Sequence, residues 1–424
     1  MSIANFRIPD ELKESAYKEI SKLGSTPTDV VKDVFQYIVD NKVLPVERVL
    51  MTQKEIQNYQ NSPSSHFKNI IDEIVEQPHN NTVFAASKGT GATNQIMSLL
   101  TRYIQRPGSN EGSGILIDIA PICCSETALD DLLSIATAVD RKVKALNINQ
   151  ILKGAKEFDL YYNPLRNKHL RDQIDIVFSL DQEYTKTQKF KYADVVAEYL
   201  DELGIDDKNL TFAKLEKFAD TKLKTLEAVS KSETEIQAFK VLKNLTNMVN
   251  TSQLSTLVNF ESNNDEMFFD IFEILTKGYI GIFEDSQHFW ESDAYPILKA
   301  LLSRDFCYVV DYELKSATLF SQECHYLYSD DSGHVTRRAR KVGLNLVFLI
   351  DDIKMAKVNT DKLSEYSHNS QNVFLYKSPK TNEQSLIPKI RSIEGTYYEK
   401  LHPDEILYIR YTGVDILRKS DCKL

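Results

Sequence analysis

Apolar and polar side chains alternate over residues 3–8: Ala4, Phe6 and Ile8 fall on one side, and Ile3, Asn5 and Arg7 on the other. A period of two is the pattern of a half-buried strand. Pro9 stops it, having no N–H to give a ladder. Asp10 is placed to cap a helix over residues 11–23, which Gly24 closes. A second helix opens at Thr26-Pro27-Thr28-Asp29, with a capping hydroxyl, a proline in the first turn and an acid near the positive end of the helix dipole. Val30, Val31, Val34, Phe35, Ile38 and Val39 then share one broad apolar face as far as Asn41. A strand and two helices in about 40 residues cannot bury a sufficient core alone. The pattern therefore predicts a dimer in which two strands pair as an antiparallel ribbon over four helices.

Further along, the period changes. Residues 52–65, rich in Gln, Asn and Ser and containing Pro63, read as a helix end and a linker. Short apolar runs at 83–86, 114–120 and 142–148 then alternate with helical patterns at 94–103 and 128–139, the order of a parallel α/β sheet. Between residues 172 and 272 the strand signals fade, and helical patterns at 190–203, 215–231 and 235–249 predict an all-α insertion. Strands resume at 279–283, 306–312, 317–320, 344–350, 373–376 and 406–411. The expected organisation is a head at 1–48, a linker or helix at 49–79, an α/β domain at 80–171 and 273–424, and the insertion at 172–272.

Charge narrows the choice of partner. The net charge is -10, which argues against a chain that coats nucleic acid non-specifically. Residues 1–45 carry Arg7, Lys13, Lys18, Lys22, Lys32 and Lys42 against a slightly larger set of acids, so a duplex would be held by a local surface. Apolar stretches such as 344–350 are too short to span a bilayer, and the first residues carry no signal-peptide pattern. Five cysteines and eight histidines show no zinc-ligand spacing, so no metal site and a reducing cytoplasm are expected.

With Asn5-Phe6-Arg7-Ile8-Pro9 leading into Asp10-Glu11-Leu12-Lys13, the head resembles the opening of a ribbon-helix-helix repressor of the Arc type. Lys22-Leu23-Gly24-Ser25-Thr26-Pro27-Thr28-Asp29 and Asn41-Lys42-Val43-Leu44-Pro45 resemble the RelB/DinJ antitoxin branch of that family. The resemblance implies that the outward strand residues Ile3, Asn5 and Arg7 enter a major groove of double-stranded DNA. Asn and Arg suit adenine and guanine edges, and Ile3, where the family has a polar residue, suits at most a thymine methyl. It also implies that the amides of Ser25 and Thr26 hold a phosphate. The plainer alternative is a ribbon that only dimerises the chain.

Strand, glycine turn and helix at 83–103 is where a phosphate-binding loop would sit, in Lys88-Gly89-Thr90-Gly91-Ala92-Thr93-Asn94-Gln95. With Gly91 as the middle glycine, Lys88 takes the place of the first, Thr93 that of the last, Asn94 that of the lysine and Gln95 that of the magnesium-binding hydroxyl. The outline survives without its cation. The order of elements resembles the TraD/TraG coupling proteins of conjugation, which belong with the FtsK/HerA motors. Asn163-Pro164-Leu165 before the helical region and Thr276-Lys277-Gly278-Tyr279-Ile280-Gly281-Ile282 after it carry the likeness. It implies a magnesium-binding strand ending at Gln322-Glu323, with Gln322 where the family has Asp, and Asp351 where it has a sensing Gln. Glu323 reads equally as a paired carboxylate without a catalytic role.

The predicted class is α/β: a ribbon-helix-helix head joined to a P-loop NTPase-like (RecA/FtsK-like) domain with an all-α insertion. No catalytic residue and no bound cofactor are expected, since every nucleotide-handling position has changed. Arg337, Arg338, Arg340 and Lys341 form the one dense basic cluster, either a solvated helix face or a second contact for DNA or a partner. His288, His325 and Trp290 read as packed or surface residues. The expected function is that of a dimeric DNA-binding accessory protein of plasmid transfer, docking a relaxase or a coupling ATPase. The alternatives are an active DNA-translocating ATPase, an autorepressor or antitoxin-like regulator, and a partition protein.

Overall fold

The computed structural model describes residues 10–22, 26–41, 63–77, 81–86, 90–106, 113–119, 122, 125–181, 183–204, 210–229, 232–284, 292–309, 314, 316–322, 338, 339, 341–350, 370–376, 401, 402, 404–410 and 413–419. The chain divides into two units, Met1–His66 and Phe67–Leu424.

In the first unit the helices Asp10–Lys22 and Pro27–Asn41 stand where the caps placed them. The Thr26 hydroxyl accepts the Asp29 N–H at 3.2 Å, and the Thr26 carbonyl accepts the N–H groups of Asp29 and Val30, each at 3.0 Å. Lys22 closes the first helix at the negative end of its dipole. Residues 3–8, expected as a strand, lie outside the described residues.

The second unit is built on strands β1 Asn81–Ala85, β2 Ile115–Asp118, β3 Val143–Asn147, β4 Ile280–Glu284, β5 Ala317–Gln322, β6 Leu344–Ile350, β7 Asn372–Tyr376, β8 Glu405–Arg410 and β9 Gly413–Arg418. They form one nine-stranded sheet in the order β3-β4-β2-β5-β6-β1-β7-β8-β9. Strands β1 to β7 pair in parallel, while β7, β8 and β9 run antiparallel. Both faces are covered, so the central strands are continuous apolar runs. Phe84, Ile117, Phe320, Val347 and Phe374 face one core, with the helices Pro63–Glu76, Ala92–Gln105 and Glu126–Ala138. Val83, Leu116, Leu319, Leu346 and Val373 face the other, with Ile271–Lys277, Ala294–Val309 and the helical region. Gly114 lets the entry to β2 pass against that second layer: a Cβ there would lie 2.0 Å from the Ile274 carbonyl oxygen.

Helices Leu170–Phe178, Lys186–Glu202, Phe212–Val229 and Glu233–Thr251 occupy the stretch read as all-α. Asn163 fixes the approach to it. Its Nδ2 donates to the Leu210 carbonyl at 3.0 Å, and its Oδ1 accepts the Leu165 N–H at 3.0 Å.

One expected element is corrected. The run at 306–312, read as a strand, belongs through Val309 to the helix Ala294–Val309. Leu298, Leu301, Phe306 and Val309 are buried at helical spacing, and the consecutive apolar residues 306–309 are simply the end of that helix. Within the stretch 49–79, expected as a linker or helix, the helix Pro63–Glu76 puts Phe67, Ile70, Ile71 and Ile74 in the core of the second unit.

Candidate functional site

Register decides what meets at the carboxyl edge of the sheet. Ala85 pairs with Ile350 and Phe84 with Leu349. Gln322 also pairs with Leu349, and Ser321 with Asp118. Strands β1, β6 and β5 thus end side by side, at the edge where open α/β sheets hold ligands. The backbone of Gln322 closes β5 there. Lys88, Gly89, Glu323 and Asp351 lie outside the described residues.

The turn after β1 keeps the outline of a phosphate loop. Gly91 has φ +88°, the left-handed region that favours glycine, and caps the helix Ala92–Gln105 without any side-chain cap. Thr90 is buried, Thr93 half-buried and Asn94 exposed. An uncharged amide therefore stands on the surface where the lysine would be. The Asn94 N–H donates to the Gly91 carbonyl at 3.2 Å, and its carbonyl accepts the Ser98 hydroxyl at 3.0 Å. Gln95, in the place of the magnesium-binding hydroxyl, is 3% exposed. Its Oε1 accepts a hydrogen bond at 3.1 Å from the hydroxyl of Tyr376, itself fully buried on β7. The side chain that would reach a metal is thus turned into the core and held there. Tyr376 was not anticipated, because nothing local marks it as the partner of a residue so far back in the chain.

Two buried charged arrangements brace the second unit, the first of them at the amino ends of β2, β3 and β4, opposite that edge. Arg141, just before β3, donates to the Gly278 carbonyl at 2.8 Å and the Ser113 carbonyl at 2.7 Å, and burial lowers its pKa to about 10. Lys168 meets Asp305 at 2.8 Å, both side chains almost wholly buried. The Tyr162 hydroxyl donates to the same carboxylate at 3.0 Å. Burial pushes the Asp305 carboxyl up, and Lys168 opposes it.

In the head, Ile3, Asn5, Arg7 and Ser25 lie outside the described residues. Thr26 also donates its hydroxyl to the Asp29 carboxylate, so an acid already complements the helix start where a phosphate was expected. Along Pro27–Asn41, Val31, Phe35 and Val39 are 39%, 47% and 69% exposed, four residues apart on one side. In the basic cluster Arg338 is half-buried and Lys341 exposed, and Arg337 and Arg340 lie outside the described residues, as do His288, Trp290 and His325. Among the described residues no three His, Cys, Asp or Glu side chains group as metal ligands, and no helix is long and apolar enough to cross a membrane.

A mostly parallel sheet, with a glycine turn and helix after β1 and with β6 between β1 and β5, defines a P-loop NTPase-like fold. Solved structures agree. VirB4 of Thermoanaerobacter pseudethanolicus matches at TM-score 0.53 and 14% identity, over 81% of this chain and 90% of that one. The plasmid coupling protein TrwB in complex with ADP and Mg2+ matches at TM-score 0.53 and 12% identity, over 80% and 85%. At such identities the likeness is one of fold. The RelB antitoxin family model matches residues 1–75. Antitoxin RelB of Escherichia coli (strain K12) is 35% identical over 57 residues, covering 13% of this chain and 72% of the relative, and the RelB of Shigella flexneri matches equally. Through this N-terminal segment the chain belongs to the RelB antitoxin family, and that head is fused to a TrwB/VirB4-like fold.

Proposed function

We propose that the protein is a sequence-specific DNA-binding accessory factor of plasmid conjugation or mobilisation, working in the cytoplasm as a dimer joined through its head. Paired ribbons present Asn5 and Arg7, with Ile3 beside them, to base edges of double-stranded DNA, while Ser25 and Thr26 approach a phosphate. Exposure of Val31, Phe35 and Val39 supports the dimer, since an apolar stripe on so small a unit calls for a second copy. The body is a pseudo-ATPase that docks a relaxase, a coupling ATPase or another transfer protein. One observation carries this reading: a RelB-type head stands on a coupling-protein fold whose lysine position is an exposed Asn94 and whose magnesium position is a Gln95 bonded to Tyr376. Such a loop lacks the point charge that holds a triphosphate.

Footprinting of the full-length protein on its own replicon, with nucleotide turnover measured in parallel, tests it. A short palindromic or repeated protected site and no turnover above background are expected. DNA-stimulated hydrolysis would instead make the body an active translocating ATPase.

A second reading, an autorepressor or antitoxin-like regulator, is favoured by the RelB match. Protection of the protein's own promoter and of no other site would select it. Protection confined to a plasmid's segregation locus would select a partition protein.

A further inference from the structure

Between the helical region and the helix Ala294–Val309 lies a cleft of about 460 Å3, within the size range of ligand pockets. Val241, Leu245 and Ile297 give it an apolar wall, and Met248, 38% exposed, stands at its mouth. Two acids, Asp181 and Glu183, also line it, and no Lys or Arg does among the described residues. Asp181 is only 7% exposed. Its Oδ1 accepts the Glu183 N–H at 2.9 Å, but its Oδ2 is closed off from solvent and has no hydrogen-bond partner among the described residues. The neighbouring ammonium of Lys189 donates to the Asp181 main-chain carbonyl. A buried carboxylate oxygen without a donor is costly, and a cation supplied from outside removes the cost.

We propose that this cleft docks a segment of a partner protein that sets an arginine or lysine side chain against Asp181 and lays apolar side chains along Val241, Leu245 and Met248. Charge complementarity names the cation, since the charged side chains lining the cleft among the described residues are the carboxylates of Asp181 and Glu183. Exposure of Glu183 and Met248 leaves the cleft open to solvent, which suits a chain segment better than an enclosed small molecule. Met248 supplies a pliable apolar contact for it. The inference rests on the docking role proposed for the body and gives that role a place and a chemistry.

The test uses the full-length protein and a fluorescein-labelled peptide of alternating leucine and arginine, beside the same peptide with citrulline in place of arginine. Anisotropy titration is expected to show the arginine peptide binding at least about tenfold tighter. Asp181→Asn should erase that difference. Met248→Lys, a change at an exposed position, should weaken the arginine peptide without touching Asp181, and it keeps the test decisive if Asp181→Asn fails to fold. Because the whole chain is acidic, only discrimination lost in a folded variant counts. Equal binding of the two peptides by the unmodified protein, or an arginine peptide indifferent to Met248→Lys, overturns the cleft. Transfer frequency separates the two ideas. A cleft that discriminates while Asp181→Asn leaves transfer unchanged sinks the docking role alone; the converse sinks the cleft alone.

Discussion

Head and body stand in opposite relations to their relatives. The head keeps 35% identity to RelB over 57 residues, whereas the body keeps its fold at 12% to 14% identity over 80% or more of the chain. A parallel sheet buried on both faces asks mainly for apolar residues at the right period, and many sequences meet that demand. In the head none of the described side chains is buried, and Val31, Phe35 and Val39 lie on its surface. On the proposed reading its requirements sit on the outside, in residues that would meet a second copy and a duplex. If that contrast is right, changes in the head should remove binding while sparing the body, and changes in the body should cost stability.

The largest effect follows from deleting residues 1–45. Site-specific DNA binding should vanish, while the body's cooperative unfolding transition should remain. Arg7→Ala alone should weaken duplex affinity by roughly 10- to 100-fold in a mobility-shift titration at fixed salt. Phe35→Asp should turn the dimer into a monomer by sedimentation equilibrium. A truncated protein that still footprints the same site would erase the contrast.

Within the body, the steepest cost is expected at Lys168. Lys168→Met takes from buried Asp305 the cation that offsets its desolvation, leaving the Tyr162 hydroxyl as a donor, and should destabilise the fold by about 3–5 kcal/mol in a urea titration. Adding Asp305→Asn removes the orphan charge and keeps an acceptor for Tyr162, so much of the loss should return. Little recovery in the double variant would mean that the pair does more than neutralise itself.

A smaller cost is expected from Tyr376→Phe, which leaves the buried Gln95 oxygen without its donor. About 1–3 kcal/mol should be lost, with DNA binding by the head unchanged. The same variant should not restore nucleotide turnover, because Asn94 still supplies no cation.

The central strands were legible because each is a continuous apolar run: β6 was placed at its observed bounds, 344–350. The glycine turn at Gly91 was legible for a local reason, a strand followed by small residues and a helical period. Commitment of Gln95 to Tyr376 was not, because the two are 281 positions apart and only the pairing of β1 with β7 brings them together. The helix Pro63–Glu76 carried a readable signal in Phe67, Ile70, Ile71 and Ile74, obscured by the polar stretch before it. Strand β9 was missed because Gly413–Arg418 carries charge at Asp415 and Arg418 and exposes Ile416, as an edge strand does. The cleft acid Asp181 had no signal at all, since a carboxylate oxygen without a donor among the described residues is defined by what surrounds it.

The smallest effect tests how far surface charge holds the body together. Asp220, on the helix Phe212–Val229, meets Lys224 at 2.7 Å one turn on and Lys243 of the helix Glu233–Thr251 at 2.5 Å. Hydrogen bonds from these two ammonium groups hold its carboxyl down at about 2, below the ordinary 3.8. A depressed carboxyl stabilises the folded state above its unfolded pKa, and that contribution is lost as pH falls through the folded one. The unmodified protein should therefore melt slightly above Asp220→Asn at neutral pH, and the gap should close as the solution is acidified from about 4 toward 2. Because all three side chains are well exposed, salt should close it as well, at neutral pH and about 1 M, where screening acts over roughly 3 Å. A gap that survived both treatments would mean that Asp220 acts through packing, and the surface of the body would then matter to its fold as the surface of the head is proposed to matter to its partners.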